Sequence, residues 1–369
     1  MNYKNKGLQV FFSLLISASL LTATFLFSSD VVNVLSSFTV GTISVMSGVV
    51  NVKSENLNVD LETENADDFV GFGNSFVVNS NSVDTKTPED IEKIMQEAVS
   101  AYASFKKTGE IDETTLSATS STISYGNVVV NNKTETKSVN IKKELSKKAS
   151  FGKITKDEPY ILVYHTHTTE GYELLDKGWY SKDYVSRTKD LDKTVVRVGE
   201  EIVSRLEKAG FKVIHDKTIY DENYNGAYGR SLKTVEKILK ENPSIVVTLD
   251  VHRDAIEYSS GTKCKPTTTI NGKKAAQVMI ITGAEEGDIE NYPNWNKNLT
   301  FAIALQNKVE ENYKSLMRPI FFCQRKYNMH VTPCSLLLEM GTDVNTLEEA
   351  VYSGRLIGDS LAQLLEENM

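Results

Sequence analysis

Short apolar runs alternate with helical patterns in the second half of the chain. The clearest runs cover residues 160–164, 245–251 and 335–338. Runs of this length, flanked by helical patterns, are typical of buried parallel strands. Each run ends at a residue that can bind a metal: His165, His252 and Glu339. Because ligands bind outside the carboxyl ends of strands in open α/β sheets, we expect these side chains to meet at one edge.

The segments between these runs complete an alternating pattern. Helical periodicity predicts helices at 194–209, 229–241 and 298–313, and a last helix after a capping box of Asn345 with Glu348. Further strands are predicted at 211–215, 277–282 and 319–323. The pattern predicts an α/β fold: a three-layer α/β/α catalytic domain over residues 156–369, with a twisted, mostly parallel sheet of about six strands.

The first 155 residues differ from the rest in composition and in the pattern of apolar positions. Residues 7–28 are uncharged and mostly apolar, and lysines precede them, so we predict a transmembrane anchor with residues 1–6 as a cytoplasmic tail. A cleaved signal peptide is the alternative, and in both cases the remainder lies outside the cytoplasm. Residues 29–155 are rich in Ser, Thr and Asn and are predicted to be an extracytoplasmic spacer with one helix at 88–106.

Composition and motifs exclude several classes of protein. The net charge is -8, and no basic stripe stands out, so no nucleic-acid partner is expected. There is no G-x-S-x-G elbow, no phosphate-binding P-loop and no His-Glu-x-x-His helix. The three cysteines are Cys264, Cys323 and Cys334. They form no C-x-x-C pair, so free buried thiols are expected, with a pair between the last two as the alternative.

The residues at the strand ends are those of a catalytic zinc site. Zinc takes nitrogen and oxygen ligands when thiolates are absent, and a catalytic site keeps one position open. His165, Glu170 and His252 are predicted as the ligands of Zn²⁺. Glu339 leaves a strongly apolar strand and is predicted to act as general base toward water, then as acid toward the leaving amine.

Two assignments have alternatives. His167 would share a face with His165 on an extended continuation of the strand, so it is an alternative ligand to Glu170. Arg253 is predicted either to stabilise an oxyanion in catalysis or to pair with Asp254. The remaining histidines, His215 and His330, are expected to be structural.

Several segments together resemble the stage II sporulation protein P family. They are Tyr164-His-Thr-His-Thr-Thr-Glu170, Asp250-Val-His-Arg-Asp254, Tyr327-Asn328, Leu338-Glu-Met-Gly341 and residues 345–350. The resemblance runs in the same order over residues 157–369. It implies the fold of a zinc-dependent N-acetylmuramoyl-L-alanine amidase, with His165, Glu170 and His252 as ligands and Glu339 as base.

The resemblance also implies a biological setting. The expected substrate is peptidoglycan, cleaved between N-acetylmuramic acid and L-alanine, and the family is also credited with endopeptidase action on cross-links. The expected place is the cell membrane, single-pass, with the catalytic domain in the septal space between mother cell and forespore during engulfment. Expected partners are a lytic transglycosylase (sporulation protein D) and a membrane protein (sporulation protein M). The alternative is a non-catalytic peptidoglycan-binding or septal scaffold protein.

Overall fold

Two β-sheets organise residues 83–369, the part of the chain that the computed structural model describes. The strands are Gly109–Thr114 (β1), Ile123–Tyr125 (β2), Val128–Asn132 (β3), Pro159–Tyr164 (β4), Trp179–Tyr180 (β5), Lys212–His215 (β6), Val247–Asp254 (β7), Lys263–Ile270 (β8), Lys273–Ala276 (β9), Val278–Gly283 (β10), Ile320–Cys323 (β11) and Cys334–Thr342 (β12). The helices are Glu89–Tyr102 (α1), Ile141–Leu145 (α2), Val195–Lys208 (α3), Ala227–Glu241 (α4), Trp295–Asn312 (α5) and Leu347–Glu366 (α6).

The larger sheet is mixed and has eight strands. Its order is β2-β3-β11-β10-β12-β7-β4-β6. β2 runs antiparallel to β3, and β10 antiparallel to β12, whereas the other neighbours are parallel. The prediction of an α/β fold is confirmed, and the prediction of about six mostly parallel strands is corrected to this wider mixed sheet. A second sheet, β5-β1-β8-β9, was not predicted.

Helices cover both faces of the larger sheet. Along β4, Ile161 and Val163 pack into the main core with residues of α3, α5 and α6. The alternate residues, Leu162 and Tyr164, pack with Val235 of α4 on the opposite face. Because successive side chains of a strand point to opposite faces, this division gives the sheet helices on both sides.

Residues 83–155 differ from the predicted spacer. α1 occupies most of the predicted helix at 88–106 and buries Ile91, Ala98 and Tyr102. β3 pairs with β11, and β1 pairs with β8, so this segment contributes to both sheets. Several of its apolar side chains, spaced among Ser, Thr and Asn, are buried in the main core. This segment therefore belongs to the folded body.

The predicted transmembrane anchor at 7–28 lies outside the described residues. Among the helices that are described, none is long and apolar enough to cross a membrane. The three cysteines are free and buried, as expected.

The end of β12 and the start of α6 are fixed by a tight polar turn. The capping box is formed by Thr346 and Glu349, one residue later than predicted. The predicted cap, Asn345, instead accepts a hydrogen bond from the backbone N–H of Thr342 and donates one to the Glu349 carboxylate. Gly341 has φ 78°, and a Cβ there would lie 2.7 Å from Oδ1 of Asn345. This turn therefore requires glycine two residues after Glu339.

Candidate active site

The predicted site residues gather at the carboxyl ends of β4, β7 and β12. β7 and β12 are adjacent and parallel, and His252 is the register partner of Glu339. Residues paired in register on neighbouring strands point to the same face of a sheet. The sheet therefore brings these two side chains side by side, as the sequence predicted.

Glu170 lies in the loop after β4, and three donor groups hold its carboxylate. Arg187 donates to Oε1 at 3.0 Å, and the backbone N–H of Arg253 donates to Oε2 at 3.2 Å. Nδ1 of His252 lies 3.3 Å from the same Oε2. Burial alone raises the pKa of Glu170, but the contact with His252 and the charges of His252 and Arg253 outweigh it and lower the pKa to about 2. The carboxylate is therefore ionised and close to one imidazole.

His252 lies between two carboxylates. Besides the contact with Glu170, its Nε2 lies 2.8 Å from Oδ1 of Asp250, although within the described residues no acceptor is aligned for a hydrogen bond with that nitrogen. Burial lowers the pKa of His252, but Asp250 and Glu170 outweigh it and raise that pKa well above its usual value. Asp250 also accepts hydrogen bonds from the backbone and hydroxyl of Thr166. The ring is thus oriented by its neighbours on the same strand and loop.

His165 is turned away from this cluster. Its Nδ1 lies 2.9 Å from the carbonyl oxygen of Val251, and its Nε2 lies 2.9 Å from Nε2 of His215. Burial and the neighbouring His215 lower the pKa of His165 to about 3. Both ring nitrogens are occupied by protein groups, and the ring packs beside Gly199 of α3.

His167, unlike His165, lies next to His252 in this cluster. Its ring is 5.3 Å from the ring of His252, at 86°, and stacks on Tyr224 at 4.6 Å. Nδ1 is buried without a hydrogen bond in the described residues, and the nearest carboxylate oxygen, of Asp221, is 3.9 Å away. A buried imidazole nitrogen without a partner is costly, and a metal ion is one way to satisfy it.

Glu339 is a partly buried acid with one buried carboxylate oxygen. Its Oε2 makes no hydrogen bond within the described residues. Burial raises the pKa of Glu339 to about 8; the charges of Asp254 and Glu170 add to this effect, and that of His252 opposes it. An acid with a raised pKa among other ionisable side chains has the properties of a proton-transfer group.

Arg253 supports the loop that carries Glu170. Its guanidinium donates to the carbonyl oxygen of Gly171 at 3.0 Å and to the hydroxyl of Ser186 at 3.3 Å. The side chain of Asp254 pairs with Arg318, at 3.0 Å, not with Arg253. Of the two predicted roles, the carboxylate pair is therefore not formed, and the contacts of Arg253 are those of a loop support.

Several residues of the site were not given a role by sequence reasoning. Arg187 bridges Glu170 and Asp221, and Tyr228 stacks on His252 and on Tyr327. Asp250 offered a signal, because it lies two residues before His252 and so shares its face of the strand. Arg187 offered none, because it comes from a loop without periodicity.

The donor atoms of the cluster are of the types that zinc binds. Within residues 83–369, no group of three His, Cys, Asp or Glu side chains is already arranged around a common point as metal ligands. The cluster nevertheless holds buried atoms without hydrogen bonds on three side chains: His167, His252 and Glu339. Imidazole nitrogens and carboxylate oxygens are the donors that catalytic zinc sites use. The chemistry of the cluster therefore suits zinc.

Comparison with known proteins identifies the family. The family described as Stage II sporulation protein P matches residues 69–362. Stage II sporulation protein P of Bacillus subtilis (strain 168) is 29% identical over 244 residues, which cover 63% of this chain and 56% of that protein. The chain thus matches little more than half the length of that relative.

Solved cell-wall amidases were also found by structural comparison. AmiC2 of Nostoc punctiforme has a TM-score of 0.34 at 10% identity, over 57% of this chain and 96% of its own. The CwlD amidase of Clostridioides difficile, solved with the GerS lipoprotein, has a TM-score of 0.35 at 14% identity, over 56% and 99%. From the match over residues 69–362, we conclude that this chain belongs to the stage II sporulation protein P family.

Proposed function

We propose that this protein is a zinc-dependent peptidoglycan hydrolase that cleaves the amide between N-acetylmuramic acid and L-alanine of the stem peptide. The main support is the cluster of His167, Glu170, His252 and Glu339. It combines imidazole nitrogens that make no hydrogen bond within the described residues with the buried carboxylate of Glu170 and the partly buried one of Glu339. Membership of the stage II sporulation protein P family supports a role in sporulation and a cell-wall substrate.

The proposed ligands are His167, Glu170 and His252. This set differs from the sequence prediction in one position, because His165 has both ring nitrogens occupied by Val251 and His215. His167 has a free buried nitrogen and faces His252. The two histidines thus have different roles. His165 packs at the end of β4, whereas His167 binds the metal.

A zinc ion at this site would supply Lewis acidity to the substrate carbonyl and to a water molecule. Glu339 is the proposed general base: in its carboxylate form, which the charge of a bound metal ion would favour, it takes a proton from the attacking water and delivers it to the leaving nitrogen. Its Oε2 is buried, and its register with His252 fixes it at the site. Asp250 orients His252, and Arg187 holds Glu170; such supporting contacts keep metal ligands in position.

The setting of the reaction is part of the proposal. A membrane anchor at 7–28 would hold the folded body outside the cytoplasm, in the septal space. Sporulation protein D, a lytic transglycosylase, and sporulation protein M, a membrane protein, remain the expected partners. A lytic transglycosylase acts on glycan strands, so the two activities would cut different bonds of the same polymer.

The test measures zinc content and release of stem peptides from purified cell wall, using the full chain. Glu339→Gln should keep zinc and lose activity by at least roughly a hundredfold. His252→Ala and His167→Ala should lose both, whereas His330→Ala, a histidine outside the cluster, should lose neither. Retained zinc in the His167 variant would contradict this ligand set, and normal turnover by Glu339→Gln would contradict the proposed base.

The same experiment separates the competing functions. Wall binding without any released product, in a protein that carries no zinc, would favour a non-catalytic scaffold. Mass spectrometry of the products distinguishes an amidase, which frees intact stem peptides, from a zinc endopeptidase, which cuts cross-links and leaves peptides on the glycan.

A further inference from the structure

A polar cleft lies beside the candidate active site, and we propose that it binds a free carboxylate of the peptide part of the substrate. The cleft has a volume of about 440 Å³, within the range of small-ligand sites. Its lining includes Lys182, Arg187, Arg253 and Lys263, against one acidic side chain, Glu257. The lining residues therefore include more cations than acids, although the chain as a whole has a net charge of -8.

Two of these cations are already neutralised. Arg187 pairs with Glu170 and Asp221, at 3.0 and 2.8 Å. Lys263 pairs with Asp343 at 2.5 Å. These pairs build the walls of the cleft and leave little charge for a ligand.

Arg253 is different, because within residues 83–369 its guanidinium forms no ion pair, although its charge acts on nearby Glu170. The residue is only 9% exposed, and within the described residues its guanidinium has no carboxylate partner. Its hydrogen-bond acceptors are neutral: the carbonyl oxygens of Gly171 and Asp254 and the hydroxyl of Ser186. A buried cation without an anion is costly, and a carboxylate is the geometric complement of a guanidinium. Lys182, exposed at the rim, adds a second charge without an ion pair.

The cleft lies next to the proposed metal site. Arg187 and the backbone of Arg253 both bind Glu170, so the inner wall of the cleft is one side chain away from a proposed metal ligand. Tyr180 and Tyr184 give the cleft apolar walls. The identification of the anion as a stem-peptide carboxylate rests on the proposed function, because these are anionic groups close to the scissile amide.

The test is a binding experiment on the full chain with its metal removed, so that hydrolysis is not needed. Two synthetic tripeptides are compared by calorimetry: one with free side-chain and terminal carboxylates, and the same peptide with those groups amidated. The free acid should bind roughly tenfold or more tightly than the amide. Arg253→Gln should remove this preference, Arg253→Lys should keep part of it, and Lys182→Gln should reduce it.

Arg325→Gln is the matched control, because Arg325 is exposed, lies outside the cleft and donates to a backbone carbonyl oxygen. It should leave the preference unchanged. Equal binding of the two peptides by the unmodified protein would overturn the proposal, as would a preference that survives in both Arg253→Gln and Lys182→Gln. If Arg253→Gln does not fold, the peptide comparison and Lys182→Gln still decide. If the protein prefers the free acid but hydrolyses no cell wall, the result would support carboxylate binding by the cleft and reject the proposed function.

Discussion

Replacement of Glu173 by Gln should change how stability depends on pH. Glu173 is 6% exposed and accepts a hydrogen bond from the Tyr102 hydroxyl at 2.7 Å. Burial raises the pKa of its carboxyl to about 7 from 4.5; Asp343 adds to this effect, while Tyr102 opposes it. The side chain is therefore neutral in the folded protein at pH 5 to 6, where the unfolded chain carries a carboxylate.

The sign and size follow from these two pKa values. Below pH 4.5 the group is protonated in both states and costs nothing. As pH rises toward 7, only the unfolded chain loses the proton, so the folded state becomes relatively less stable. At ~1.4 kcal/mol per pKa unit, the change from 4.5 to about 7 amounts to about 3 kcal/mol, and it is complete above pH 7. Glutamine keeps an acceptor for Tyr102 and removes this titration.

The measurement is urea unfolding of both proteins at pH 5 and pH 8. The free energy of unfolding of Glu173→Gln relative to the unmodified protein should rise by about 2 to 3 kcal/mol between the two pH values. Glu222→Gln is the control: Glu222 is exposed, and its hydrogen bond with Lys189 lowers its pKa, so its loss should not stabilise the protein at pH 8. An unchanged difference for Glu173→Gln across this range would refute the explanation.

Three further results are expected. Gly199→Ala should lower the free energy of unfolding by about 1 to 3 kcal/mol, because the added Cβ would lie 2.7 Å from the His165 ring. Gly229 lies in another helix with open space around it, so Gly229→Ala should raise the free energy of unfolding by roughly a few tenths of a kcal/mol. Equal effects of the two substitutions in thermal melts would contradict this. Lys265→Met should lower the free energy of unfolding by about 3 to 5 kcal/mol, because it leaves the buried carboxylate of Glu349 without its cation. Lys274 is half exposed and shares two of the same partners, so Lys274→Met should lower it by under ~1 kcal/mol in urea titrations. A fragment starting at residue 156 lacks β1 to β3 and should be insoluble or lack a cooperative melt; a cooperative melt like that of the full chain would count against this assignment.

The fold could be predicted from the sequence where strands are apolar. β4, β7 and β12 are interior strands of the larger sheet, so both faces are buried and the signal is a continuous run. β8 and β9 belong to the small second sheet and carry lysines and threonines, so they give no such run. The antiparallel pairing of β10 with β12 also has no local signal, because strand direction is decided by distant connections.

The site shows the same limit at the level of single side chains. His252 and Glu339 were identified because each follows a clear strand, and their register then brings them together. His165 follows an equally clear strand, but it is engaged by His215, fifty residues later on the neighbouring strand β6. Which of two histidines in a His-Thr-His sequence faces the crevice depends on the turn after the strand, and the strand pattern does not determine that turn.

The two halves of the cluster are held by different kinds of contact. His252 and Glu339 project from strands that are hydrogen-bonded on both edges, so their amide protons should exchange only when the whole sheet opens. Glu170 projects from a connecting segment that is held by backbone contacts and by hydrogen bonds to side chains such as Arg187 and Asp221. Substitutions in that segment should therefore move Glu170 without changing the spacing between Glu339 and His252, which the register of the sheet sets.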